Sequence, residues 1–344
     1  MLSAKNAFTF VNNAAQNLKP GSPAFALHAS LSHIASLQKA PGFFSVSDND
    51  ERFVSDIVTG LPIAALAKAG NTLERGPHSD KVAKAFKWIT ETMDERGIIS
   101  SSMQSTPQIF LTFGLAELYA ESGDPRVRKP LGLALERLFS LQLEDGTYGR
   151  SVSGQEGIAD AAIATITFRI AWDAGAPFPG NATRAFDKAH DLAMGRLKVT
   201  EGELLDSRGM PVRAGTAQEV LNYGSVLALL KSSGKQFPSG NSMKFLLHCR
   251  ELKHSSNAIS PEGWMLNAWM WKHFGLGQWQ FLYDSIRGGR SRFCQVQSLR
   301  PVLFQLSHPS QRTLAQRPHG RSRGDACPHA DVRSRSPITI DTAQ

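Results

Sequence analysis

Two kinds of apolar pattern alternate along this chain. Thr106–Gly123 (TPQIFLTFGLAELYAESG) is apolar around most of its circumference, so as a helix it must be buried on every side. Asp124–Gln142 (DPRVRKPLGLALERLFSLQ) behaves differently: Val127, Leu131, Leu135, Leu138 and Phe139 recur at i, i+4, i+8, i+11 and i+12, a single stripe on an otherwise charged helix. The second helix should cover the first. A turn, LEDGTYG, then leads into another all-round apolar segment, Ile158–Gly175, and another amphipathic one, Asn181–Leu197, built on Ala185, Phe186, Ala189, Leu192 and Ala193.

The alternation extends in both directions. Ala24–Gln38 has an outer-type stripe of Phe25, Leu27, Leu31, Ile34 and Leu37, after a short helix expected over 4–17. Phe53–Gly70 is an inner helix that Pro62 should either kink or start, because proline removes a backbone donor. Ser79–Arg96 is its outer partner, with Val82, Phe86, Ile89 and Met93 on one side. Beyond a connector at Val199–Arg213 come an inner helix at Ala214–Gly234, an outer one at Asn241–Leu252, an aromatic-rich inner one at Pro261–Gly275 and a last outer one at Gln278–Arg287.

Glycines that would end the inner helices, Gly70, Gly123, Gly175, Gly234 and Gly275, are spaced by 53, 52, 59 and 41 residues. A period of about 50 with two helices per unit marks a helical repeat array. In an open solenoid both helices of a pair keep a solvated face, whereas here one of each pair is apolar nearly all round. The pattern therefore predicts an all-α fold closed into an α/α toroid, with inner helices as a barrel and outer helices as its jacket. The expected organisation is an N-terminal segment at 1–23, a toroid repeat domain at 24–287 and a basic tail at 288–344.

Composition changes this picture only at the C-terminal end. The formal charge is +8, but from Arg287 onward the chain carries ten Arg, no Lys and three Asp, so the body is close to neutral. A basic tail can hold phosphates by charge; the body shows no nucleic-acid footprint. Two readings of 288–344 stand: a natural disordered basic arm, or a stretch read in a shifted frame, since Arg, Pro, Ser and His without Lys is what a GC-rich gene yields out of frame. The second is favoured, and it implies a toroid left incomplete at its C-terminus. Three cysteines, Cys249, Cys294 and Cys327, make no disulfide framework. The first twenty residues lack the apolar core of a secretory signal, and no run approaches the length of a transmembrane helix, so a cytoplasmic location is expected.

Three stretches stand out: FGLAELYAESGDPRVRKPLGLALERLFSLQLEDGTYG (113–149), LPIAALAKAGNTLERGPHSDKVAKAFKWI (61–89) and GWMLNAWMWKHFGLGQW (263–279). They resemble the prenyltransferase and squalene-oxidase repeat family, whose members include squalene–hopene cyclases and protein prenyltransferase β-subunits. Gln38-x₃-Gly42 and Gln142-x₃-Gly146 look like degenerate forms of the family's Gln-Trp turn, with Tyr148 near the place of the Trp. The resemblance implies the toroid fold, but the motifs that carry the family's chemistry are missing. Hopene cyclases protonate an alkene with a D-x-D-D acid, and the nearest stretch here is Asp48-Asn49-Asp50-Glu51 in a connector. The β-subunits bind zinc through Asp, Cys and His; His248-Cys249 with His254 would lie on an outer helix facing away from the barrel. The internal thioester sequence of complement-like relatives is also missing, and no metal or cofactor is expected.

In a toroid the inner helices run parallel and their N-termini meet at one mouth. Polar residues placed there are Asp56, Thr59, Gln108, Asp160, Gln218, Glu219, Asn222 and Glu262. Asp56, Asp160, Glu219 and Glu262 are the candidate catalytic acids, although acids in a first helical turn also complement the macrodipole and cap free amides. Gln108, Asn222, Trp264 and Trp271 are the candidate ligand contacts. The two indoles, seven residues apart on one helix face, could stabilise a cation or simply fill the barrel. Three function classes remain open. One is a non-catalytic toroid binding an apolar small molecule or a peptide segment, which the missing D-x-D-D favours. The others are a diverged terpene cyclase or prenyl-transfer enzyme, and a carbohydrate-active α/α barrel with facing acids.

Overall fold

The alternation of helix types reappears as an alternation of burial. A computed structural model of the chain describes residues 23–45, 52–99, 105–148, 156–180, 182–200, 203–206, 209–210 and 217–234. Its elements are α1 (Pro23–Ser36), α2 (Arg52–Lys68), α3 (Ser79–Thr92), α4 (Ser105–Ser122), α5 (Pro125–Leu141), α6 (Glu156–Asp173), α7 (Ala182–Arg196), β1 (Leu197–Thr200), β2 (Glu203–Asp206) and α8 (Ala217–Ser232). The described residues are therefore all-α apart from one hairpin. The helices expected at 4–17, 241–252, 261–275 and 278–287, and the tail, lie outside them.

Helix α4 is buried without interruption from Pro107 to Tyr119, as a segment with no polar face must be. Helix α6 follows suit, with Ala161 to Ala164, Ile166 and Phe168 all buried. Hydroxyls inside these helices look after themselves: Thr165 and Thr167 each donate to the carbonyl one turn back, Ala161 and Ile163, at 2.7 and 2.8 Å. Helix α5 buries its stripe of Val127, Leu131, Ala134, Leu135 and Leu138 and leaves its charged side to water. Each such Leu, moved fully out of water, contributes roughly 1.5–3 kcal/mol. Asp124 starts this helix by accepting the Arg126 N–H at 2.9 Å, and Pro125 occupies a first-turn position that needs no donor.

Three contacts fix the direction of the inner helices. Lys68 and Glu121, near the C-terminal ends of α2 and α4, pair at 2.8 Å. The Thr106 hydroxyl, near the start of α4, donates to Asp160 Oδ2, near the start of α6, at 2.7 Å. Arg169 Nε, near the end of α6, donates to the Ser232 carbonyl at the end of α8 at 2.9 Å. Each contact joins like ends, so α2, α4, α6 and α8 lie side by side, parallel and in chain order. Helices α3 and α5 cover α2 and α4, while α7 lies against both α6 and α8. After α4 and α6 the chain reverses through Gly123 and Gly175 at φ 61° and 70°, the left-handed C-cap read from the glycine period.

Some expectations are corrected. Pro62 does not start α2, which begins at Arg52 and carries the proline in its interior. Phe25 and Leu27 of the α1 stripe are exposed, at 41% and 48%, while Leu31 and Ala35 are buried, so the stripe meets the core through its later positions. The connector at Val199–Arg213 contains β2, which pairs antiparallel with β1 from Leu197↔Asp206 to Thr200↔Glu203. Two four-residue runs separated by Glu201-Gly202 are a hairpin signal that the helical period masked.

Candidate functional site

The expected mouth is where Thr106 meets Asp160. Asp160 is the fifth residue of α6 and Asp56 the fifth of α2, so the two carboxylates hold the same level on helices that flank α4. Asp56 is fully buried and Asp160 half-buried. The Thr106 hydroxyl has a single proton to donate, and in this bond it is directed to Asp160 Oδ2. Thr59, one turn further into α2, accepts the Phe44 N–H at 2.9 Å and so ties the preceding turn to the inner helix.

Gln108 sits in the same region with its amide engaged on both sides. Its Oε1 accepts the Ile99 N–H at 3.0 Å and its Nε2 donates to the Gly97 carbonyl at 3.0 Å. Of the other candidates, Glu219 and Asn222 belong to the opening turns of α8, and their side chains are outside the description. Glu262, Trp264 and Trp271 lie outside the described residues altogether.

A feature that sequence reasoning caught only in part is the turn that leads from each outer helix to the next inner element. In the turn after α1, Lys39 N–H donates to Phe43 C=O at 2.9 Å and Gly42 N–H to Lys39 C=O at 3.0 Å. The same pair of bonds recurs as Asp94/Ile98 with Gly97/Asp94, as Leu143/Thr147 with Gly146/Leu143, and as Asp206/Met210 with Gly209/Asp206. Two of these four turns contain the glutamine singled out from sequence. Gln38 Nε2 donates to the Lys81 carbonyl at 2.7 Å, and Gln142 Nε2 to the Ala185 carbonyl at 3.3 Å, in both cases 43 residues ahead in the first turn of the next outer helix. Six residues after each glutamine an aromatic ring, Phe44 or Tyr148, is buried to 0% or 2% exposure.

Gly42 and Gly146 are required sterically as well as by conformation, whereas a methyl on Gly209 would meet nothing within 4 Å. A methyl built on Gly42, at φ 114°, would stand 2.5 Å from the Lys84 carbonyl oxygen; on Gly146, at φ 84°, it would stand 2.6 Å from that of Lys188. These two turns are thus pressed onto the outer helix of the following pair. In the second turn Met93 stands where the glutamine would be, and Gln108 of α4 supplies the missing amide to Gly97. Gln108 thus bonds the carbonyl of Gly97 as Gln38 Nε2 bonds that of Gly42, at 2.9 Å, but from a different helix. The sequence signal for the other two turns is the glycine of MDERGI, read as the end of the outer helix, and that of LDSRGM.

Charges at the rim and at the opposite end are paired. Glu144 lies 3.2 Å from both Lys188 and Arg184, and the Lys188 ammonium holds its carboxyl below the usual range. Asp145 is likewise lowered, first by the Thr147 hydroxyl that it accepts at 2.6 Å. These residues border a surface hollow of about 310 Å³, lined by the Leu143–Thr147 turn and α7 rather than by an inner helix. At the far end, burial alone would lower the Lys68 pKa, but pairing with Glu117 and Glu121 outweighs it and holds the ammonium above its usual value. Tyr148 is the opposite case: burial without a hydrogen-bond partner for its hydroxyl pushes the phenol well above 10.

Among the described residues no three His, Cys, Asp or Glu side chains are grouped to hold a metal ion, and no helix is long and apolar enough to cross a membrane. Compared with models of known protein families, with curated proteins and with solved structures, the chain matches none.

Proposed function

We propose that this chain is an α/α toroid of the prenyltransferase and squalene cyclase repeat type that acts in the cytoplasm as a binding protein. Its occupant is an apolar small molecule or a peptide segment, taken up at the end where the inner helices begin, and squalene is not cyclised there. Support for the repeat type comes from the recurring turn, with Gln38 and Gln142 reaching 43 residues ahead and a buried ring six residues later. The observation that carries binding over catalysis is the Thr106–Asp160 hydrogen bond. Protonating an isolated alkene needs a neutral, strongly acidic carboxyl supported by neighbours. Asp160 instead accepts a hydrogen bond from the Thr106 hydroxyl, and the chain lacks the D-x-D-D sequence. With Gln108 also engaged by backbone, the described polar groups of the mouth favour an occupant held mainly by apolar contact.

The test is incubation of the purified chain with squalene or oxidosqualene, followed by product analysis, together with mass spectrometry of organic extracts of the protein as purified. No cyclised product and a co-purifying apolar molecule or peptide are expected. A cyclised product that disappears in Asp160→Asn or Asp56→Asn would overturn the reading.

A further inference from the structure

We draw no further inference here: the strongest candidate, the partly exposed aromatic patch in which Trp172 of α6 meets Phe178 and Phe186 near the C-terminal end of α8, carries nothing because nothing in the structure shows what covers it.

Discussion

Gly60 of α2 and Gly114 of α4 meet backbone to backbone: a methyl built on Gly114 would stand 2.7 Å from the Gly60 carbonyl oxygen. One built on Gly60 would run into the Phe110 carbonyl. Two parallel helices approach this closely only where neither carries a side chain.

Gly60→Ala tests that contact. Alanine favours a helix over glycine by about 1 kcal/mol, so an uncrowded site would gain stability. Overpacking costs about 1–3 kcal/mol, and the obstacle is a helical carbonyl that cannot rotate away. A net loss is expected, read as a lower urea midpoint at unchanged slope. A midpoint that rises would show the helices are further apart than described.

Gln108→Leu should destabilise the chain by about 1–3 kcal/mol, because the Gly97 carbonyl and Ile99 amide lose their partner inside the protein. Gln38→Leu leaves Asp160, Thr106 and Gln108 untouched and removes the equivalent clip, the Gln38–Gly42 bond, from the first turn. Comparable stability losses in the two variants, measured by thermal melting, would identify both as clips. An unchanged melting temperature for Gln108→Leu would instead free that side chain for a ligand.

Tyr148 separates ring from hydroxyl. Tyr148→Phe keeps the buried ring and removes a hydroxyl without a partner, so stability should be equal or higher, whereas Tyr148→Ala should lose about 3–5 kcal/mol. Denaturant unfolding distinguishes the two. A Phe variant less stable by more than about 1 kcal/mol would mean the hydroxyl has a partner that holds the turn.

The same phenol and Lys68 make stability fall at high pH. Both have folded pKa values above their unfolded ones, so the folded chain holds more protons and stability is full below pH of about 10 and declines above it. Tyr148→Phe should flatten that decline in equilibrium unfolding between about pH 9 and 11. An identical profile would put the titrating group elsewhere.

Asp124 works at the other extreme. Its carboxyl is lowered, first by the Arg126 guanidinium and also by the Arg126 N–H it caps. Asp124→Ala should cost about 1 kcal/mol at neutral pH. Because the folded pKa lies below the unfolded one, the difference between variant and parent should persist above pH of about 4 and fade as pH drops through the folded value. A difference that stays constant as the pH is lowered through the acid range would assign the effect to packing.

The helix types were legible because they rest on burial, which sequence records directly. Helix α4 offers no polar side from Pro107 to Tyr119 and α5 offers one apolar stripe, so which covers which could be read without coordinates. The turns were half legible because their two defining bonds are made by backbone groups, which any residue supplies. What the sequence retains is a glycine, and glycines are common. The Gln signal fails at Met93 since its replacement, Gln108, is fifteen residues away on another helix. Asp160 could be placed at the start of α6, but its bond to Thr106 depends on how segments 54 residues apart are set side by side.

The forward reach of the turns bears on how the chain comes to its native state. Gln38 and Gln142 each stop 43 residues ahead, so these ties join a unit to its immediate successor and to nothing beyond it. Chains tied in this way have low contact order, and order can start at any pair and spread to its neighbours like a row of closing snaps. Such a row also opens from its ends. Cutting the Gln142 tie should therefore loosen α7 before it disturbs α2 or α3, and amide hydrogen exchange would rise first on the C-terminal side of the break.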